Sequence, residues 1–178
     1  RSAVGALAVE QGWHLVELDE NRGFGGGVNV AARKALDLGC RDLLVLNPDA
    51  LIKREAMLTM ARAIPVHRRA IAAPVIRTSE GRIWFAGIDL YLESGEMRRT
   101  KSRADFPNSL VEPWLTGACL WITGEAWEAI GEFDESYFLY WEDVDYSVRA
   151  RRAGCTLLLV EGAEAIHDEG GTQRADGG

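Results

Sequence analysis

The chain of 178 residues carries 20 basic and 27 acidic side chains, for a net charge of -7, and 47% of it is hydrophobic. That apolar fraction with mixed charge excludes a disordered chain and suits one domain with a sizeable core. No apolar run approaches the roughly 20 residues of a membrane-spanning helix. The acidic balance leaves no basic stripe for nucleic-acid phosphates, so nucleic acid is not an expected partner.

The chain opens at helical spacing, with Val4, Leu7 and Ala8 on one face and Gly12 as a stop. Trp13 to Leu18 reads as a short strand, bounded by Gly12 and the polar stretch Asp19 to Gly27. Val28 to Leu38 reads as a helix closed by Gly39. Asp42 to Leu46 is a nearly continuous apolar run, the pattern of a strand buried on both faces, and Asn47-Pro48-Asp49 ends it. Helical spacing resumes over Lys53 to Ile64, and Ile71 to Ile76 is a second buried strand. This alternation predicts an α/β layer with a mostly parallel sheet. Arg82 to Arg103 alternates loosely around Gly87 and Gly95, as a hairpin or irregular excursion. Trp114 to Ile122 reads as a strand, Gly124 to Ile130 as a short helix, Glu142 to Ala153 as a helix ended by Gly154, and Thr156 to Val160 as a strand. Glu169 to Gly178 is a glycine-rich tail expected to be loose.

Cys40, Cys119 and Cys155 offer neither a zinc spacing nor a disulfide framework, which favours a reducing compartment. Four other segments have the composition of chemistry. Gly23-Phe24-Gly25-Gly26-Gly27 follows a predicted strand and precedes a predicted helix. It misses the dinucleotide fingerprint because the sixth place is Val28, which leaves a flexible turn or a loop that a nucleotide approaches closely. Asp49, past the end of a buried strand, can either hold a divalent cation or cap the following helix. Glu142, Asp143 and Asp145 crowd the start of a helix whose end carries Arg149, Arg151 and Arg152. That arrangement complements the helix dipole, and Asp145 with Arg149 makes an i,i+4 pair. The dipole does not account for the aromatic approach Tyr137-Phe138-Leu139-Tyr140-Trp141, which would desolvate an adjacent carboxylate and suit it to accept a proton. His167 follows the last predicted strand, whereas His14 and His67 have no acidic context.

Taken in order, these segments form a pattern: Asn21-Arg22-Gly23-Phe24-Gly25-Gly26-Gly27-Val28-Asn29; Leu46-Asn47-Pro48-Asp49; Thr116-Gly117-Ala118-Cys119 through Trp121 to Gly131-Glu132-Phe133-Asp134-Glu135, then Tyr140-Trp141-Glu142-Asp143-Val144-Asp145 and Arg149; and His167 with Gly170-Gly171. The pattern resembles the family 2 glycosyltransferases, in particular rhamnosyltransferase-like and galactofuranosyltransferase-like members. The resemblance implies a GT-A, Rossmann-like sheet flanked by helices. It also implies inverting transfer of a sugar from a nucleoside diphosphate to a hydroxyl of a saccharide or lipid-linked acceptor, in cell-envelope polysaccharide or glycolipid synthesis. Asp49 would bind Mg²⁺ or Mn²⁺, with His167 completing the shell, and Asp143 of the Glu142-Asp143 pair would be the general base. Asn21, Arg22, Gly23, Gly26 and Asn29 would lie near the nucleotide, with Asn47 beside the diphosphate, and Gly117, Ala118 and Trp141 near the sugars. The implied location is cytoplasmic, with room for peripheral contact at the inner face of the cell membrane.

Two departures accompany the resemblance. Asn47 stands where the metal motif has its first aspartate, and the family's earlier β-α-β unit has no counterpart here, so the domain is expected to be incomplete at its amino end. A non-catalytic or truncated GT-A-like interaction module is the alternative reading. A two-carboxylate glycoside hydrolase fits less well, because adjacent Glu142 and Asp143 point in different directions from one helical turn.

Overall fold

A computed structural model describes residues 3–64 and 68–168; the expected tail, Gly170-Gly171 and His67 lie outside them. Among the described residues a six-stranded sheet is built from β1 (Asp42–Leu46), β2 (Ala50–Ile52), β3 (Ala70–Arg77), β4 (Ile83–Phe85), β8 (Cys119–Thr123) and β9 (Thr156–His167). Its order is β1-β8-β3-β9-β2, with β4 pairing β3. A second sheet, in the order β6-β5-β7, joins β5 (Ile88–Tyr91), β6 (Met97–Arg99) and β7 (Val111–Trp114). The helices are α1 (Ala3–Gln11), α2 (Gly23–Asp37), α3 (Arg54–Ala63), α4 (Gly124–Ile130) and α5 (Glu142–Arg152).

β3 lies deep in the sheet, and its pleat explains its apolar composition. Ile71 and Ala73 pack into the larger core with Ile122, Phe133 and Tyr146, while Ala70 and Ala72 join Met60, Ile64 and Val160 in a second cluster. Alternate side chains therefore serve different clusters, so a continuous apolar run is required. Within the larger core, Phe133 stacks on Tyr146 with centroids 4.1 Å apart.

The α/β class holds, but the sheet is mixed rather than mostly parallel. β3 and β9 pair in parallel, whereas β8 runs antiparallel to both β1 and β3, and β2 and β4 are antiparallel to their neighbours. The predicted strand at Trp13 to Leu18 is instead exposed coil, and Trp13 is 60% exposed. No strand among the described residues pairs with it. The predicted strand Trp114 to Ile122 divides at Leu115–Ala118, so that Trp114 ends β7 in one sheet and Cys119 begins β8 in the other. Thr156 to Val160 extends to His167, because a register shift near Pro74 lets β9 bend and then pair with β2.

Candidate active site

Four chain segments meet at one edge of the large sheet. β1 delivers the Asn47–Asp49 turn beyond its carboxyl end, β8 begins there after Gly117-Ala118, β9 ends there at His167, and α5 starts there with Glu142 and Asp143. The backbone N–H of Asn47 donates to the Ala118 carbonyl at 3.0 Å and joins two of these segments. Asn47, Gly117, Ala118, Trp141, Glu142, Asp143 and His167 line one cavity of about 290 Å³. Loops beyond the carboxyl ends of strands are where open α/β sheets hold ligands.

His167 lies opposite Ala50 in the β2–β9 ladder, which brings its Nε2 to 3.1 Å from Asp49 Oδ1 and 3.5 Å from Asn47 Nδ2. Asp49 is thus not the cap of α3, whose N-cap residue is Lys53. Nδ1 of His167 and Oδ1 of Asn47 are buried without hydrogen-bond partners. Mg²⁺ and Mn²⁺ bind through one or two carboxylates and take further oxygens from phosphate. One carboxylate, one imidazole and one uncommitted amide oxygen fit such a cation, and the fit is carried by the orphaned Asn47 oxygen.

The two adjacent carboxylates differ in surroundings. Asp143 is half-buried and held at both oxygens, with Oδ2 accepting the Gly117 N–H at 3.0 Å and Oδ1 its neighbour Val144 N–H at 2.9 Å. Burial nevertheless wins over these hydrogen bonds and raises its pKa above the ordinary carboxylate value. Glu142 is only 6% exposed, and its Oε2 has no partner. Burial, and then the Asp143 charge, push its pKa up as well. Immediately before them, Tyr140 and Trp141 adopt φ of 67° and 71°, left-handed positions that cost side-chain-bearing residues free energy. The Asp145–Arg149 pair forms as expected, with Nε to Oδ2 at 2.7 Å, and Arg149 also donates to the Ile130 carbonyl at 3.1 Å.

The glycine-rich segment behaves differently from the sequence expectation. It is the first turn of α2, not a loop, and Gly23 and Gly26 are required by the protein's own packing. Gly23 has φ of +72°, and a Cβ there would lie 2.1 Å from the Phe138 carbonyl oxygen. One at Gly26 would lie 2.6 Å from Arg22 Cβ, and one at Gly117 would lie 2.9 Å from Phe24 Cζ. The buried Asn29 amide accepts from the Phe133 N–H at 2.8 Å, and donates to the Phe133 carbonyl at 2.9 Å and to Glu135 at 3.1 Å. Arg22 is paired with Glu135, and Asn21 Oδ1 accepts from the Gly23 N–H at 3.0 Å. These groups clamp α2 to the 133–138 segment, and Asn29 spends its polar atoms inside the chain.

Sequence reading missed three wall residues. Trp84 of β4 packs against the His167 ring at 4.6 Å and an interplanar angle of 66°, and Trp114 and Met97 line the same cavity. All three lie in or beside the excursion whose strand pairing could not be read from spacing.

The comparisons bear on this geometry. No family model matches the chain. A crystal structure of GalNAc-T7 with UDP, GalNAc and Mn²⁺ superposes on 92% of the chain and 33% of that protein, with a TM-score of 0.70 at 14% identity. That likeness establishes a GT-A fold. The low-salt glycan biosynthesis hexosyltransferase Agl10 of Haloferax volcanii is 27% identical over 167 residues, 88% of this chain and 52% of that protein. The chain is thus similar in sequence to proteins named as hexosyltransferases and rhamnosyltransferases. Rhamnosyltransferase WbbL of Escherichia coli is 24% identical over 135 residues, 70% of this chain and 51% of its own length. A stretch of 54 residues is 44% identical to the N-acetylglucosaminyl-diphospho-decaprenol L-rhamnosyltransferase of Mycobacterium tuberculosis, 30% of this chain and 18% of that protein. The chain spans about half the length of Agl10 and WbbL. Among the described residues no helix is long and apolar enough to cross a membrane.

Proposed function

We propose that this chain carries the catalytic core of an inverting sugar transferase that uses a nucleoside diphosphate sugar and acts on a saccharide or lipid-linked acceptor. One observation carries the reading: His167, whose Nε2 is 3.1 Å from Asp49 Oδ1, lines the same small cavity as Asn47 and Asp143. Asp143 is the base. Its two backbone hydrogen bonds fix the carboxylate, and its burial-raised pKa makes it a stronger proton acceptor than an ordinary aspartate. As the acceptor oxygen attacks the anomeric carbon, its proton passes to Asp143. The bond from that carbon to the diphosphate oxygen breaks, and the diphosphate leaves with the electron pair. A single base with no covalent nucleophile inverts the anomeric centre. Asp49, His167 and the free oxygen of Asn47 are the residues that would hold Mg²⁺ or Mn²⁺, which neutralises charge on a departing diphosphate. Gly117 and Ala118 present backbone close to the sugars. The decaprenol-linked substrate in the mycobacterial relative's name supports a lipid-linked acceptor, and location at the inner face of the cell membrane is part of the same proposal.

The test is a panel of nucleoside diphosphate sugars with Mg²⁺ or Mn²⁺, read by release of the nucleoside diphosphate and by product mass. Transfer from at least one donor is expected, with Asp49→Ala losing the Mn²⁺-dependent thermal stabilisation of the parent. Equal Mn²⁺ stabilisation in the two proteins would remove Asp49 from the cation site.

A further inference from the structure

Metal-binding histidines ordinarily give their second ring N–H to a carboxylate, a carbonyl or water, and that bond fixes the rotation of the ring. In His167 the corresponding atom, Nδ1, is buried and has no hydrogen-bond partner among the described residues. The polar contacts of the ring are at Nε2 instead, 3.1 Å from Asp49 Oδ1 and 3.5 Å from Asn47 Nδ2. The Asp49 bond cannot survive the arrival of a cation, because Nε2 cannot donate a proton to Asp49 and give its lone pair to a metal at once. The ring torsion of histidine has broad wells, so the side chain itself does not then hold the imidazole in place.

The contact that survives is apolar. The Trp84 and His167 rings lie 4.6 Å apart at 66°, and the indole is itself packed against the larger core. Its aim is set by the backbone. In the β3–β4 pairing Phe85 lies opposite Ile76 and Ile83 opposite Arg77, so three residues of β4 face two of β3 and Trp84 is the extra one. A bulge of this kind takes a side chain out of the regular alternation and re-aims it. Both sides of the bulge are tied down. Arg77 Nε donates to Glu164 of β9 at 2.8 Å, and Arg99 donates to the Ile83 carbonyl at 3.3 Å. Arg77 also lies opposite Ile166, the residue before His167, so bulge and imidazole stand on neighbouring strands.

We infer that Trp84 is a positioning residue for the cation site: its indole keeps the His167 imidazole turned toward Asp49 when the direct bond gives way to a metal. The ring contact and the bulge stand by themselves; the use made of them rests on the cation reading above.

The test titrates Mn²⁺ alone into the full chain and reads free Mn²⁺ by electron paramagnetic resonance. Trp84→Ala should weaken binding about tenfold, whereas Trp84→Phe keeps a flat ring and should stay within about threefold of the parent. In a His167→Ala background Trp84→Ala should add nothing, since the indole then has no imidazole to hold. Circular dichroism checks the fold, and Trp84→Leu, which keeps more of the core volume, replaces an alanine variant that does not fold. An alanine variant as tight as the parent, a phenylalanine variant as weak as the alanine one, or an equal loss without His167 would overturn the inference. A second arm needs no metal. Asp49→Ala removes the direct bond, and its crystal structure should show the imidazole in its present orientation, while Asp49→Ala with Trp84→Ala should show it turned or split between orientations. The same single orientation in both would also overturn the inference. If the parent takes up no Mn²⁺, the cation reading fails, and this pair of structures alone decides whether Trp84 holds the ring.

Discussion

Replacing Gly23 by alanine separates a packing role for the glycine-rich turn from a ligand role. The new Cβ would lie 2.1 Å from the Phe138 carbonyl oxygen and 2.9 Å from its carbon, both backbone atoms that cannot swing aside. That same oxygen accepts the Phe24 N–H at 3.2 Å, so moving it also disturbs the contact between α2 and the 137–141 segment. A left-handed alanine costs about 1–2 kcal/mol, and forcing an atom into packed backbone about 1–3 kcal/mol more. The sum, about 2–5 kcal/mol, corresponds to a fall in Tm of roughly 5–15 °C for a domain of this size. Thermal unfolding by circular dichroism measures it, with UDP binding followed on the same samples. Gly27→Ala is the internal control, since a Cβ there meets nothing within 4 Å. It lies inside α2 and should gain about 0.5–1 kcal/mol. Gly23→Ala with the parent Tm but without UDP binding would refute the packing argument and return the turn to the nucleotide.

Further predictions concern buried polar groups. Asn29→Ala leaves the Phe133 N–H without its acceptor in the core and should destabilise by about 2–4 kcal/mol in denaturant unfolding, through lost hydrogen bonds and burial left unmatched; an effect below about 1 kcal/mol would show that the clamp contributes little. Glu142→Gln should raise Tm at neutral pH. Because burial raises the folded-state pKa of Glu142, the folded chain binds this proton more tightly than the unfolded one, and the group's contribution to stability falls as pH rises from the unfolded value through the folded one. The Tm difference, variant minus parent, should therefore be small near the ordinary glutamate pKa and grow toward neutrality; a variant less stable than the parent at neutral pH would contradict this.

Sequence pattern revealed those elements whose partners are local or whose burial is complete. β3 was legible because both faces of a buried strand must be apolar, and α5 because its acids and arginines sort to opposite ends; Asp42–Leu46 is a strand as expected, but it ends the sheet and only Leu43 is buried. The meeting of Asn47, Asp143 and His167 was legible only through the order of motifs, since each lies on a different element. Trp13 to Leu18 misled because strand composition does not supply a strand partner. The glycine run was expected as a loop and instead opens α2, and a glycine required by Phe138 or Arg22 looks the same in sequence as one required by a phosphate. Trp84 and Trp114 carried no signal, as their place beside His167 and Glu142 depends on how β4 and β7 pair.

The central claim is that Asp143 removes the acceptor proton, and the rate of sugar transfer by Asp143→Asn at saturating donor and acceptor measures it. Asparagine keeps the side-chain shape and one oxygen for the Gly117 N–H, so donor binding should persist while kcat falls about 10²–10⁴-fold. A kcat within a few-fold of the parent, with donor binding intact, would contradict the account.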